Sequence, residues 1–349
     1  MAQLFLLHCL GVATAMAYGW YVDHLRYTTS TGIHIDGIEQ GNCTGATEFI
    51  LMGLSQMQKV QLLFFFFFLL FYIIILPGNF LIIFTIQSDP CLSSPMYFFL
   101  ANLAFLDICY CSVTPPKMLA DFFSLCKTIS YGGCMAQLFF LHFLGGAEAF
   151  LLMAMAYDRY VGICKPLRYA TLMNREICCT VVGAAWAGGF VHGIILFGLS
   201  IQLPFCGPNI LDNFFCDVHQ LVKLACADTY VVEMIMFLNN GVVIMMCFIL
   251  LIISYAALLL RLRTHSPRWE SKVASTCVSH IIVVFVMCGP AIYIYALPFR
   301  AAPLKKVVAV FHTVVFPLTN PMIYTLRNKE IKSSMRKLIN RYISWRVKS

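Results

Sequence analysis

Charge is scarce in this chain. Asp, Glu, Lys and Arg make up 11% of its 349 residues, while 60% are hydrophobic; a soluble domain carries about a quarter charged residues. With a mean hydropathy of +0.80, the chain is solvated mostly by lipid. Catalytic signatures are missing too. There is no Gly-rich phosphate loop, no HExxH pair and no nucleophile motif, so nothing in the sequence points to an enzyme. The length suffices for one membrane domain and little else. A formal charge of +8 could indicate nucleic acid, but its distribution argues otherwise: 16 of the 24 Lys and Arg lie at 159–175, at 261–272 and from 327 to the end. Basic clusters between apolar stretches are the mark of cytoplasmic loops, and no nucleic-acid partner is expected.

What is abundant is apolar sequence in long runs. A helix crossing the hydrocarbon core needs about 20 apolar residues, and seven stretches qualify: 61–86, 96–121, 132–160, 178–200, 230–258, 274–297 and 306–326. An odd number of crossings puts the two ends of this unit on opposite sides. The basic C-terminus is then cytoplasmic and the segment 30–60 extracellular. Asn42-Cys43-Thr44 is an N-glycosylation sequon on that outer side. The fold expected is an all-α membrane protein, a seven-helix bundle over 61–326. A basic tail follows over 327–349, in which Ile331, Met335, Leu338, Ile339 and Tyr342 recur at helical spacing opposite Lys and Arg. Such a segment makes an amphipathic helix on the inner leaflet, held by apolar burial and anionic lipid. The first inner loop, QSDPCLSSP, carries no Lys or Arg, a mild exception to the charge rule.

Four cysteines face the outer, oxidising side: Cys134 at the start of the third span, and Cys206, Cys216 and Cys226 in the loop before the fifth. They read as two disulfides, with three pairings open. Nothing resembles the CxxC pair of a zinc site. Cys109, Cys111, Cys247, Cys277 and Cys288 lie in apolar spans and read as packing residues.

Charges inside spans are costly and mark function or a partnered structural site. Asp107 lies midway along the second span. Glu148 lies midway along the third, between Cys134 and Arg159, which are about 37 Å apart on a helix. Two such carboxylates either share a proton or hold a small cation, and Asn320 of the seventh span would add a ligand for sodium. Asp158-Arg159, at the inner end of the third span, can pair locally or be offered to a cytoplasmic partner.

Five motifs then occur in order. MAYDRYVGICKPLRY (155–169) resembles the third-helix signature of olfactory receptors, within the rhodopsin-like G-protein-coupled receptors. PMYFFLANLAFLD (95–107) resembles their second-helix signature, Ser254-Tyr255 the end of helix five, KVASTCVSH (272–280) the start of helix six, and PLTNPMIYTLRNKE (317–330) the end of helix seven. Gly78-Asn79 and Trp186 match single-residue markers of helices one and four. The resemblance runs from about Glu48 to Lys337.

The resemblance implies roles. Arg159, with Asp158 and Tyr160, would meet a heterotrimeric G protein of the olfactory, stimulatory type, while Asn320, Pro321, Tyr324 and Tyr255 rearrange to support the open state. Asp107 and Glu148 match the family's sodium-site carboxylates, a structural ion being the only cofactor expected. Cys134 would pair with Cys216, and Cys206 with Cys226. The pocket would be lined by Leu141, His142, Gly145, Asn239, Asn240, Tyr295 and Thr313. The implied location is the plasma membrane. Two departures fall at the coupling face: Gly162 where an Ala is usual, and VAS after Lys272 where AFS or ALS is usual. Cys288 stands where many relatives carry an aromatic switch residue.

The pocket residues exclude some ligands. An amine receptor carries an Asp eighteen residues before the Arg of helix three, and Leu141 occupies that position. Lys305 and Lys306 lie at the outer end of the seventh span, which argues against a retinal Schiff base. An apolar, aromatic site with few hydrogen-bonding groups suits a small volatile odorant, with His142 able to donate or accept one bond. A transporter or channel is the alternative from another class, but it would show repeated hydropathy halves.

The one clear repeat is at the start. MAQLFLLHCLG (1–11) matches MAQLFFLHFLG (135–145) at nine of eleven positions, MAYGWYV answers MAYDRYV, and LRYTT answers LRYAT. Residues 1–29 are thus a shortened copy of the third-helix region in which Asp-Arg has become Gly19-Trp20. The copy is expected to stay outside the bundle, as a cleaved signal, an extra span or a loose tail. A non-signalling product is the reading this duplication leaves open.

Overall fold

A computed structural model describes residues 48–55, 57–124, 126–262, 305–319 and 328–348, with scattered positions between 282 and 293. Helix α1 spans Gln58–Ser88. It is apolar all round, as a helix facing both lipid and protein should be. Phe68, Ile75 and Ile82, seven residues apart, form its buried seam, whereas Leu63, Phe66, Ile73 and Phe84 stand outward. Pro77 removes one internal hydrogen bond from the helix.

Helix α2 (Pro95–Cys111) starts on a proline, which loses nothing at the first helical position. The second span is not continuous. It breaks at Ser112–Thr114 and resumes as α3 (Pro115–Asp121), because Pro115 and Pro116 have no N–H to donate back into α2.

Helix α4 (Tyr131–Cys164), 34 residues and about 51 Å long, is the bundle's axle. Ser130 caps it, its side chain accepting the Gly133 N–H at 3.1 Å, and it packs against α2, α6 (Arg175–Ile201) and α9 (Val243–Leu262). A 3₁₀ turn at Pro166–Arg168 and the short α5 (Tyr169–Leu172) join α4 to α6. Small residues let α4 and α6 touch backbone to backbone: a Cβ on Gly189 would lie 2.5 Å from both the Phe143 carbonyl oxygen and the Ala147 nitrogen.

Four described helical segments are long and apolar enough to cross a membrane: Lys59–Ser88, Pro95–Asp121, Tyr131–Cys164 and Arg175–Ile201. After the short α7 (Val218–Leu224) in the loop before it, the fifth predicted span appears as α8 (Tyr230–Phe237), a π turn at Leu238–Val242 and α9. The sixth lies mostly outside the described residues. The seventh begins as α10 (Lys305–Val310) and continues through a second π segment, Phe311–Val315. After it comes α11 (Lys329–Lys348), the expected amphipathic tail helix.

One feature of the fold was not anticipated. Three short strands close the end of the bundle where α4 begins: β1 (Glu48–Leu51), β2 (Thr128–Ser130) and β3 (Ile210–Leu211), in the order β2-β1-β3. β1 runs antiparallel to β2, with Phe49 opposite Ile129, and parallel to β3, with Leu51 opposite Leu211. Alternation along β1 turns Phe49 and Leu51 inward and Glu48 and Ile50 outward. Phe49 meets the Phe205 ring edge-on at 5.3 Å. This small sheet gives the end its own apolar core, with Leu138, Leu196, Leu203 and Val218.

Candidate functional site

The disulfide end is cross-linked twice. Cys134, in the first turn of α4, is bonded to Cys216, and Cys206 to Cys226, with Cα separations of 5.4 and 5.7 Å. Gln137, one turn further along α4, accepts the Cys216 N–H at 2.9 Å. The loop is thereby fixed to α4 by a covalent and a hydrogen bond side by side. The sequon residue Asn42 and the copy at 1–29 lie outside the described residues.

Midway along the bundle, Asp107 on α2 and Glu148 on α4 are both fully enclosed. Cys111, one turn beyond Asp107, is equally enclosed and lies within electrostatic reach of both carboxyl groups. The two acids therefore occupy one neighbourhood on facing helices. Asn79 of α1 is buried as well, donating to the Ile75 carbonyl at 3.2 Å. Among the described residues no group of three His, Cys, Asp or Glu side chains could hold a metal ion. The oxygen-rich pair fits a hard cation such as sodium only with a further ligand, and Asn320 lies outside the described residues.

At the opposite end of α4, Asp158 is buried and accepts a 2.8 Å hydrogen bond from the Tyr169 hydroxyl of α5. Burial, followed by the Asp158 carboxylate, pushes the Tyr169 phenol well above its ordinary value, so it remains a donor at neutral pH. Arg159 turns its guanidinium onto the thioether of Met96 on α2. Tyr160 is half-buried against the bundle core, and Tyr255 of α9 is buried in it. Gly162 faces the Tyr169 ring: a Cβ there would sit 3.5 Å away, in ordinary contact. Pro321 and Tyr324 lie outside the described residues.

The candidate pocket residues divide. Leu141 and His142 are buried on α4. Gly145 faces Tyr110 of α2, where a Cβ would meet the ring at 3.8 Å. Asn240 donates to Met236 at 3.1 Å and Thr313 to Ala309 at 2.8 Å, each one turn back in its own helix. Tyr295 lies outside the described residues. Asn239, within the π turn, instead reaches across to α6 and donates to the His192 carbonyl at 3.3 Å. His192 in turn packs its ring edge against His142, centroids 5.7 Å apart. The structure thus gathers His142, His192 and Asn239 from three helices. His192 was missed in the sequence; its signal was one titratable side chain inside the apolar run GGFVHGII.

Comparison with known proteins agrees with this architecture. A family model described as olfactory receptor matches residues 68–341. Olfactory receptor 4M1 of Mus musculus is 60% identical over 308 residues, covering 88% of this chain and 98% of that protein. Olfactory receptor 4M1 of Homo sapiens is 58% identical over the same coverage, and olfactory receptor 4N5 of Homo sapiens 57% identical over 306 residues, 88% of this chain and 99% of the relative. These are multi-pass membrane receptors and not enzymes. With more than half its length matched and relatives at this identity, the chain belongs to the olfactory receptor family.

Proposed function

We propose that the chain binds a small, volatile, mostly apolar odorant within the helix bundle and activates a stimulatory, olfactory-type G protein to raise cAMP. One observation carries the reading. The candidate ligand residues Leu141, His142 and Gly145 and the coupling pair Asp158-Arg159 lie on the same unbroken helix, α4, with His142 and Arg159 about 25 Å apart along its axis. A ligand at one end can therefore act on the other through a single rigid rod and its neighbours.

The thermodynamic requirement is that the odorant bind the open arrangement better than the closed one. A coupling of about 1–3 kcal/mol between the two ends is typical, and it acts reciprocally. In the closed arrangement Arg159 rests on Met96 and Asp158 is held by Tyr169; opening frees Arg159 for the G protein, supported by Tyr160, Tyr255, Asn320, Pro321 and Tyr324. Leu141, Asn239, Asn240, Tyr295 and Thr313 shape the ligand site around His142. Asp107 and Glu148, with Asn320, would hold a sodium ion, which would stabilise whichever arrangement keeps the three together. The disulfide end and Asn42 are placed outside the cell and α11 inside, a direction supported by the basic clusters and by disulfides needing an oxidising space.

The test is a cAMP assay in cells carrying this receptor and an olfactory-type G protein, screened against volatile compounds. Concentration-dependent cAMP for at least one compound, absent from cells without the receptor, is the expected result. Silence toward every volatile from a receptor at normal surface level would overturn the reading.

A further inference from the structure

Arg159 is held by a weak partner. Its guanidinium rests on the Met96 thioether, and a thioether sulfur accepts only weakly. The carboxylate next to it in sequence, Asp158, is bonded to Tyr169. How readily Arg159 leaves therefore depends on how firmly Met96 is kept in place. Met96 lies in the first turn of α2, one residue before Tyr97.

That turn is tied to the tail helix. The Tyr97 hydroxyl donates to Glu330 and accepts from Asn328 at 3.3 Å, and Tyr97 lies within electrostatic reach of Arg159 as well as Glu330. Asn328 is itself fixed as the cap of α11, its side-chain oxygen accepting the Glu330 and Ile331 N–H groups at 2.9 and 3.3 Å. One turn on, Ser334 donates to Asp89 at 2.5 Å, and Asp89 caps the Pro90–Leu92 turn that leads into α2. Ile331 and Ser334 are both buried, so this side of α11 faces protein. Two neighbouring residues of α2 thus hold, one the coupling arginine, the other the tail helix.

Resting on the odorant-receptor reading, we propose that docked α11 is a brake on G-protein coupling: Tyr97, Glu330 and Ser334 act as positioning residues that fix the first turn of α2, and with it Met96, so that Arg159 stays where it rests. Coupling of this kind is reciprocal. Undocking α11 favours the open arrangement, and a G protein that takes Arg159 loosens the docking.

The test reads odorant-free cAMP from the full-length receptor, at matched surface level, in cells carrying an olfactory-type G protein. Tyr97→Phe keeps the ring and removes both bonds to the α11 end; Ser334→Ala removes the bond to Asp89. Each should raise basal cAMP about two- to tenfold, the range that one lost hydrogen bond gives, and lower the odorant EC50. Ser333→Ala, the same change at an exposed neighbour on α11, should alter neither. Adding Arg159→Ala to Tyr97→Phe should erase the rise. Met96→Leu, which removes the sulfur and little volume, should raise basal cAMP with amide exchange over 329–340 unchanged, whereas Tyr97→Phe should speed that exchange. Basal cAMP that stays level or falls in Tyr97→Phe at normal surface level would overturn the proposal, as would a rise that survives the loss of Arg159. If Tyr97→Phe does not reach the surface, the purified unaltered receptor decides: nucleotide-free G protein should speed exchange over 329–340, and unchanged exchange overturns the brake. A receptor that answers a volatile but shows no basal rise in Tyr97→Phe loses this inference and keeps the odorant-receptor reading, whereas silence toward all volatiles with no basal rise sinks both.

Discussion

Ser334 on α11 donates a 2.5 Å hydrogen bond to Asp89, 245 positions earlier in the chain. The same carboxylate accepts the Cys91 N–H at 3.0 Å and so caps the Pro90–Leu92 turn between α1 and α2. Beside it, Tyr97 of α2 donates to Glu330, and Asn328 donates to the Tyr97 hydroxyl at 3.3 Å. Asn328 also caps α11, accepting the Glu330 N–H at 2.9 Å. Ile331 is buried beneath this cluster, while Ile339, two turns on, is exposed. The first half of the tail helix is thus docked on protein.

This docking has a defined pH response. The Ser334 hydroxyl, then the Cys91 N–H, hold the Asp89 carboxyl below the usual carboxylate range. A depressed folded value means that the contribution is complete above the unfolded value near 4 and is lost as pH falls through the lower, folded one. Docking should be unchanged from pH 8 to 5 and loosen only in stronger acid. Ser334→Ala should loosen it at neutral pH, seen as faster amide hydrogen exchange over 329–340 in detergent. Exchange identical to that of the unaltered protein would show that the bond does not hold the helix.

Gly189 is the tightest point between α4 and α6. Even a methyl group there meets two backbone atoms at 2.5 Å, and backbone cannot swing aside. Gly189→Ala should cost at least about 1–3 kcal/mol through forced separation of the helices. Gly183 and Gly198 on the same helix have nothing within 4 Å of an added Cβ, so alanine there should hold or raise stability. Thermal unfolding of the three variants, followed by size-exclusion fluorescence, makes the comparison. Equal melting temperatures would refute the close-approach argument.

Much of this architecture was legible in the sequence because lipid imposes one strong rule, that spans be long and apolar. The start of α2 was marked by Pro95. What was not legible depends on distant partners. The strand Glu48–Leu51 is four residues long, and its two neighbours lie about 80 and 160 positions away, so its alternation carried no signal alone. The break at Ser112–Thr114 was written in Pro115-Pro116 yet masked by the apolar residues on both sides. The π turn at Leu238–Val242 has no composition cue, and within it Asn239 bonds the His192 carbonyl while Asn240 bonds its own helix. Asp107 and Glu148 could be read because a carboxylate in a span is conspicuous. A single histidine was not.

The two disulfides should differ in weight. Cys134–Cys216 closes a separation of 82 residues and Cys206–Cys226 one of 20. Loop-closure entropy gives about 4.5 kcal/mol for the first and about 3.3 for the second. Cys134→Ser should therefore retain the receptor inside the cell, and Cys206→Ser should do so less completely. Surface labelling against total protein measures both. Full trafficking of Cys134→Ser would count against the bridge as a structural requirement.

Arg159 and Gly162 test the coupling face from two directions. Arg159→Ala removes the proposed G-protein contact but leaves the buried Asp158–Tyr169 bond in place, so odorant-driven cAMP should vanish while surface level stays nearly constant. Gly162→Ala adds a methyl group in ordinary contact with Tyr169 and removes the glycine penalty of about 0.5–1 kcal/mol in a helix. It should fold at least as well and signal. A normal cAMP response from Arg159→Ala, or a misfolded Gly162→Ala, would contradict the respective role.

The N-terminal copy can be removed outright. Relatives of this chain are matched over 98–99% of their length by 306–308 of its 349 residues, and the family match begins at residue 68. A complete receptor therefore fits without some 40 residues of this chain. The copy itself has exchanged Asp-Arg for Gly19-Trp20, and α4 already fills the place a third-helix sequence would take, packed on α2, α6 and α9. Deleting residues 1–30 keeps Asn42 and β1, and it should leave surface expression and the odorant concentration-response unchanged. If both collapse, the copy is part of the working receptor; if only surface expression falls, it serves as an export signal and the bundle reading stands.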